Sequence, residues 1–306
     1  MSLSKHNFSS IHGWLIVDKP EGITSARVVS IVKKILNAKK VGHAGTLDPL
    51  ASGVLPLALG EATKTVSYVM ESVKTYTFEV CWGEQRDTDD AEGKIIATSS
   101  HRPNSNDIQK AIKGFVGMIQ QIPPHFSAIK VEGQRAYKKA RAQEPLVLAA
   151  REVIIEEFHL KSMRDADHAE FTVVCHKGTY VRSLARDLAQ MLGTVGYIKR
   201  LRRNKTGRFD ETGSISLEKI KELGHNLLSK GVLHPIEAVL DDIPAIRLQA
   251  VEQQKLSQGQ PIRYVSQSAQ GFFEGSVLCI SLEGLPLALA TVKEGVIQPK
   301  RVFNIQ

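Results

Sequence analysis

Apolar residues along this chain occur in short runs that predict strands and in longer segments with helical spacing. Strands are predicted at 13–20, 55–59, 76–82, 151–160 and 170–176. A helix with an apolar face is predicted from a Thr24 or Ser25 cap to about Ala38. Further helices are predicted at 107–116, 181–192 and 218–230. Both kinds of element therefore intermingle up to about residue 240.

Two segments interrupt this pattern. Residues 1–12 are polar and predict a flexible leader. Residues 121–151 open with Pro123-Pro124 and then crowd lysine and arginine together. This composition predicts a basic insertion that is partly mobile until a ligand orders it, and a solvated helix face is the alternative.

The pattern changes again near the C-terminus. Beyond a boundary at 241–244, strands predicted at 275–282 and 285–292 flank a glycine turn. We therefore expect a main domain over 13–243 and a small β domain over 244–306.

Composition narrows the class of protein. Of the 306 residues 42% are hydrophobic, which suffices for a sizeable core. No apolar run approaches the roughly 20 residues that span a bilayer, and no secretory signal pattern opens the chain. Cys81, Cys175 and Cys279 lie far apart without metal-ligand or redox spacing. We expect buried thiols, no structural metal and a cytoplasmic protein.

The charge balance favours a polyanionic partner. The net charge is +8, from 40 lysines and arginines against 32 acidic residues. A second basic run follows the helix at 181–192 and comprises Lys199, Arg200, Arg202, Arg203, Lys205 and Arg208. Many basic proteins never meet nucleic acid, so the charge by itself leaves the partner open.

The glycine-rich loop from Gly42 to Gly53 carries the most informative residues. Its three glycines allow backbone to approach a ligand closely. Pro49 favours an extended Asp48 and stiffens the turn, so the carboxylate can be held in one place for nucleophilic attack or charge stabilisation. An isolated Asp-Pro pair is most often a plain turn, and a single His43 is most often structural.

The loop sequence GHAGTLDPLASG resembles the signature of the TruB family of tRNA pseudouridine synthases. Further segments resemble this family's motifs in the same order, namely VDKPEGITS from Val17, KTY from Lys74, QIPPHFSAIK from Gln121, RAY from Arg135, GTYVRSLARDL from Gly178 and LRR from Leu201. The resemblance covers roughly residues 13–240. It implies an α+β pseudouridine synthase fold around a mixed, largely antiparallel sheet, followed by a PUA-like RNA-binding domain.

The resemblance also implies roles for individual residues. It makes Asp48 the catalytic carboxylate, Arg182 its charge partner, and Tyr76 a stacking surface and candidate proton carrier. Further substrate contacts are implied for His43, Tyr180, Leu201, Lys19, Arg202, Arg203, Lys130 and Arg135, with Lys19 also buttressing the loop. The competing interpretations are a surface arginine for Arg182, and core packing for Tyr76 and Leu201.

The implied reaction converts uridine 55 in the T-loop of tRNA to pseudouridine. The C1′–N1 bond breaks and C1′ joins C5, so the reaction requires neither ATP nor a redox cofactor. A base within a folded RNA must first be flipped out, and phosphate contacts from the basic runs can offset that cost. We expect no cofactor, no membrane and no obligatory protein partner, and a monomer.

Two other functions remain open at this point. One is a tRNA-binding chaperone that has lost catalysis, against which the intact Asp48, Tyr76 and Arg182 argue. The other is a nucleotide-dependent enzyme, which the missing P-loop motif disfavours. The chain departs from the family pattern at Arg86 and at 142–145, both on loops expected to face RNA.

Overall fold

The computed structural model describes residues 10–127, 129–131, 134–142, 146–263 and 274–305. Residues 1–9 of the predicted leader and residues 143–145 lie outside the described residues. The helices are α1 (Ser25–Ile35), α2 (Val66–Glu71), α3 (Ser105–Ala111), α4 (Ala136–Arg141), α5 (Val181–Met191), α6 (Leu217–Leu223) and α7 (Ala250–Ser257).

The first ten strands are β1 (Gly13–Lys19), β2 (Val41–His43), β3 (Ser52–Leu59), β4 (Lys74–Trp82), β5 (Glu84–Arg86), β6 (Ile95–Thr98), β7 (Gly117–Gln121), β8 (Lys130–Val131), β9 (Gln134–Arg135) and β10 (Arg151–Met163). The others are β11 (His168–Cys175), β12 (Gly196–Thr206), β13 (Phe209–Asp210), β14 (Ile215–Ser216), β15 (Leu233–His234), β16 (Ala245–Arg247), β17 (Ile262–Arg263), β18 (Gly275–Ile280), β19 (Pro286–Lys293) and β20 (Val296–Val302).

Eleven of the described strands form one large sheet. Its main order is β14-β1-β3-β12-β4-β11-β10-β7, with β2, β13 and β15 attached at the side. The pairs β1–β14 and β3–β12 are parallel, whereas the other neighbours in this order are antiparallel. The expectation of an α+β fold with a mixed, largely antiparallel sheet is confirmed.

Helix α1 forms where its capping chemistry and its apolar face predict it. The Thr24 hydroxyl accepts a hydrogen bond from the Arg27 amide, and Val28 and Val32 are buried against the sheet. The helix ends at Ile35, three residues before the predicted end, because Asn37 adopts a left-handed φ of 47°.

Strand β12 was absent from the sequence-based prediction, which saw only a basic run there. Its apolar Ile198 and Leu201 are buried, while its half-buried Arg202 pairs with carboxylates of Asp18 and Glu211. Charges that residues of other segments neutralise therefore conceal a strand whose other face is apolar.

The C-terminal residues form a separate five-stranded sheet in the order β16-β18-β19-β20-β17. Leu278, Leu289 and Phe303 share a buried cluster with Trp14 and Ile16 of β1, so this sheet packs on the large one. The exact domain division stays a prediction. Among the described residues, none of the helices has the length and apolar character needed to cross a bilayer.

Candidate active site

The loop between β2 and β3 is tied to its surroundings at several backbone groups. The buried Ser25 hydroxyl donates to the Leu47 carbonyl and accepts from the Leu47 amide, both at 2.9 Å. The Pro49 carbonyl accepts from the Gly22 amide at 2.8 Å. These bonds fix the residues on both sides of Asp48, so its carboxylate is held in one place.

Lys19 supports the same loop from below. Its fully buried ammonium donates to the carbonyls of Pro20, Ile23 and Pro49, at 2.9, 2.7 and 3.3 Å. Burial lowers the pKa of Lys19 to about 8, against a smaller opposing effect of Asp48. The predicted buttressing contact is therefore present in the structure, whereas contact with substrate stays a prediction.

Asp48 forms an ion pair with Arg182 from the first turn of α5. Asp48 Oδ2 lies 2.9 Å from Arg182 Nε, and the two side chains are 35% and 4% exposed. The Nε–H group does not point at a hydrogen-bond acceptor among the described residues, so this contact is an ion pair. Asp48 is thus the partner that remains open to a ligand.

Backbone carbonyls and a second carboxylate orient the Arg182 guanidinium. It donates to the Thr88 and Phe126 carbonyls at 2.8 and 2.9 Å, and its Nη1 lies 3.5 Å from Asp90 Oδ2. Asp90 is 2% exposed, and burial raises its pKa despite the hydrogen bond from Thr88. The acidic turn between β5 and β6 therefore sets the position of Arg182.

The departure from the family pattern at Arg86 has a structural explanation. Its guanidinium donates to the Ala91 and Gly93 carbonyls at 3.3 and 3.1 Å and lies 4.4 Å from the Tyr197 ring centroid. Arg86 therefore braces the acidic turn from inside. The expectation that this loop faces RNA stays a prediction.

A cavity of about 300 Å³ lies beside Asp48, within the size range of small-ligand sites. Its walls include Gly45, Thr46, Leu47, Asp48, Met70, Lys74, Tyr76, Ser127, His176, Lys177, Gly178, Thr179, Tyr180, Val181, Arg182, Leu201 and Arg203. The structure thus brings together Asp48, Tyr76, Arg182, Tyr180, Leu201 and Arg203 of the residues predicted from sequence.

The two tyrosines of the cavity are neutral aromatic walls. Burial raises the pKa of Tyr76 and of Tyr180, so both phenols keep their protons at neutral pH. The Gln121 side chain bonds to the amide and the carbonyl of Tyr180, at 2.8 and 3.2 Å, which fixes the start of α5. The cavity therefore presents one carboxylate between aromatic and cationic groups.

Arg203 is built into the cavity wall. It is 1% exposed, and it donates to the Val54 and Gly45 carbonyls at 2.8 and 3.0 Å. Gly53 has a φ of 101°, and a Cβ there would lie 2.2 Å from the Arg203 carbonyl oxygen. Arg203 therefore faces the cavity, and its contact with RNA stays a prediction.

The remaining predicted residues lie around the cavity or beyond it. His43 is on β2, outside the cavity lining, and burial lowers its pKa. Arg202 binds Asp18 through both Nη atoms, at 3.0 and 3.1 Å. Lys130 and Arg135 lie on β8 and β9, but their side chains are outside the described residues.

Sequence reasoning missed several cavity residues. Lys74, Ser127 and Thr179 lie within motifs that the resemblance covers, yet none was assigned a role. Asp90, which lies in the acidic turn at 87–93, was assigned no role either. The aspartates of the turn and the KTY motif could have been singled out from the sequence. Their position beside the cavity, however, depends on pairing between distant strands.

The chain matches two family models and resembles named relatives over nearly its full length. Residues 33–181 match the TruB family pseudouridylate synthase (N terminal domain), and residues 182–241 match the tRNA pseudouridylate synthase B C-terminal domain. The tRNA pseudouridine synthase B of Rhodospirillum rubrum is 49% identical over 300 residues, which cover 97% of each chain. The protein of that name from Ehrlichia chaffeensis is 44% identical over 302 residues, covering 96% of this chain and 100% of the other.

Solved structures support the fold. A chain from the crystal structure of a Cbf5-Nop10-Gar1 complex has a TM-score of 0.71 at 24% identity, covering 96% of this chain and 85% of that chain. A chain from an H/ACA RNP bound to a substrate RNA containing 2′-deoxyuridine has a TM-score of 0.69 at 23% identity, with coverage of 95% and 85%. The predicted fold is thereby confirmed. Since the family matches span most of the chain and the named relatives share nearly half of its residues over almost their full length, the chain belongs to the TruB family of pseudouridylate synthases.

Proposed function

We propose that this protein isomerises uridine 55 in the T-loop of tRNA to pseudouridine, with Asp48 as the nucleophile. The observation that carries the proposal is the ion pair of Asp48 with the buried Arg182 at the edge of the cavity. Its relatives are named tRNA pseudouridine synthase B, which supports tRNA as the substrate.

Action on tRNA also supports a cytoplasmic location. The family expectation supports a monomer without an obligatory partner.

The reaction needs a carboxylate that contacts a single base in a site shielded from bulk water. The C1′–N1 bond breaks, C1′ joins C5, the C5 proton leaves and N1 gains a proton, so atoms and electrons balance within one nucleotide. Asp48 attacks the nucleotide while Arg182 keeps its oxygen aimed, and the bond that Asp48 forms breaks again before pseudouridine leaves, so the carboxylate is regenerated. Tyr76 stacks on the base. Flipping the nucleotide out of its stack costs a few kcal/mol, which contacts to the RNA backbone offset.

Residues around the cavity are proposed to support this exchange. Tyr180 and Leu201 line the base pocket, and His43 lies on the path by which the nucleotide enters. The insertion at 121–151, with Lys130 and Arg135, is proposed to close over the RNA. The domain that begins at residue 244 is proposed to be a PUA-like module that binds RNA outside the active site.

The test is Asp48→Asn, which keeps the shape of the side chain and removes its charge. Tritium release from a T-arm RNA labelled at C5 of uridine measures the loss of the C5 proton, and filter binding measures tRNA affinity. We expect no release and near-normal binding. Asp242→Asn, at an exposed carboxylate outside the cavity, is the matched control and should keep full activity. Turnover by Asp48→Asn close to that of the control would exclude Asp48 as the nucleophile.

A non-catalytic tRNA chaperone is not favoured by the relatives, which are named as synthases. Full rescue of a deletion strain by Asp48→Asn would show that tRNA binding alone serves the cell.

A further inference from the structure

One wall of the cavity carries a cation that the proposed reaction does not use. Lys74 precedes Tyr76 by two residues on β4, so their side chains lie on the same face of the strand. Two residues of a strand span about 7 Å. A base stacked on the Tyr76 ring therefore places one edge within reach of the Lys74 side chain.

The Lys74 ammonium is held in place with one donor uncommitted. It is 6% exposed and donates to the backbone carbonyls of Met70 and Ser72. An ammonium has three donors and no acceptor, so one N–H remains after these two bonds. Burial lowers the pKa of Lys74 to about 8, which leaves the ammonium charged at neutral pH.

A second donor lies next to it. Lys74 pairs with Cys175 across β4 and β11, and Thr179 follows at the end of the same turn. The Thr179 hydroxyl is buried and lines the cavity, and it has no hydrogen-bond partner among the described residues other than the Cys175 thiol. The neighbouring Cys175 thiol, whose pKa burial raises to about 12, is a weak partner. A buried hydroxyl without a strong partner is unfavourable, and a ligand oxygen would satisfy it.

We infer that Lys74 and Thr179 bind O4 of the target base and that Lys74 thereby selects uracil over cytosine. The inference rests on the proposed function and adds the residues that determine its base specificity. Uracil presents an acceptor oxygen at C4, whereas cytosine presents an amino donor there. The Lys74 ammonium can only donate hydrogen bonds. It attracts the C4 oxygen of uracil, whereas the amino group of cytosine finds no acceptor there, so cytosine is rejected.

The test changes one atom of the substrate together with one side chain. T-arm RNAs carry tritiated uridine or 4-thiouridine at the target position, because sulfur at C4 is a weaker acceptor than oxygen. kcat/KM for each is measured with the wild type, Lys74→Met and Thr179→Val. We expect the preference of the wild type for uridine over 4-thiouridine to fall by about 10- to 100-fold in Lys74→Met and by less in Thr179→Val.

The ratio of kcat/KM for the uridine RNA to kcat/KM for the 4-thiouridine RNA separates recognition of the base from a merely structural role. Loss of packing lowers kcat/KM for both RNAs equally and leaves their ratio unchanged, which would overturn the inference. Lys219→Met, at an exposed lysine paired with Glu222, is the control and should keep the wild-type ratio. If Lys74→Met does not fold, an unchanged ratio in Thr179→Val overturns the inference. Failure of the wild type on uridine would instead refute the proposed function.

Discussion

Asp48 Oδ2 lies 2.9 Å from Arg182 Nε, and the two side chains differ sharply in exposure, at 35% and 4%. The Arg182 fork is already bonded to the carbonyls of Thr88 and Phe126, so its orientation is set before substrate arrives. Such an arrangement pre-organises the carboxylate. A lysine offers the same charge without the planar fork.

We therefore expect Arg182→Lys to lower kcat by about 100- to 10,000-fold with tRNA affinity nearly unchanged. Single-turnover tritium release gives the rate, and filter binding gives the affinity. Thermal melting of the variant controls for folding. A rate within about tenfold of the wild type would show that charge alone suffices at this position.

Lys19 makes stability depend on pH in a direction opposite to that of a lysine whose pKa is raised by an ion pair. Its pKa is about 8 in the folded protein and about 10.4 in an unfolded chain. Between these values the unfolded chain binds more protons, so the contribution of Lys19 to the free energy of unfolding rises with pH.

The difference in unfolding free energy between the wild type and Lys19→Met should therefore grow by on the order of 2 kcal/mol between about pH 7.5 and pH 10. Urea denaturation at both pH values measures it. For Lys219→Met, at an exposed lysine, the same difference should not change. A difference that shrinks as pH rises would contradict the placement of a buried ammonium on the Pro49 carbonyl.

Local sequence patterns predicted those helices and strands whose caps and apolar spacing lie within the element itself. The Thr24 cap and the apolar face predicted α1, and apolar runs predicted β1, β3 and β4. Strand β12 was missed because its charges resemble a solvated run until partners such as Asp18 and Glu211 are known. Asp18 lies on β1, 184 residues away in sequence, and Glu211 follows β13, so the pairing depends on how these segments fold together.

The site shows the same limit. Asp48 was identified from its loop, since the motif itself is local. The burial of Arg203 and the bracing role of Arg86 could not be predicted, because both follow from contacts between segments far apart in sequence. A basic residue within a basic run gives no indication of whether it faces solvent or a carbonyl.

Gly53 allows β3 and β12 to approach closely beside the loop that carries Asp48. With its φ of 101°, a Cβ would lie 2.2 Å from the Arg203 carbonyl oxygen, and backbone would have to move. We expect Gly53→Ala to destabilise the protein by more than about 2 kcal/mol, as measured by urea denaturation. Gly213→Ala, where a Cβ meets nothing within 4 Å, is the matched control. Equal stability of the two variants would contradict the close pairing of these strands.

Arg86 and Arg182 both contact the acidic turn. Its bonds to the Ala91 and Gly93 carbonyls hold the turn whose Thr88 carbonyl and Asp90 carboxylate position Arg182. We expect Arg86→Thr to lower kcat by about tenfold, since the turn loses this brace, while tRNA affinity stays unchanged.

Steady-state tritium release and filter binding distinguish this bracing role from an RNA contact. Arg164→Thr, at an arginine that is 51% exposed and paired with Glu79, is the control and should leave kcat unchanged. Weaker tRNA binding with normal kcat in Arg86→Thr would place the side chain on the RNA face, as the sequence alone suggested. Because the brace acts through Arg182, the effects of Arg86→Thr and Arg182→Lys on kcat should combine to less than their product.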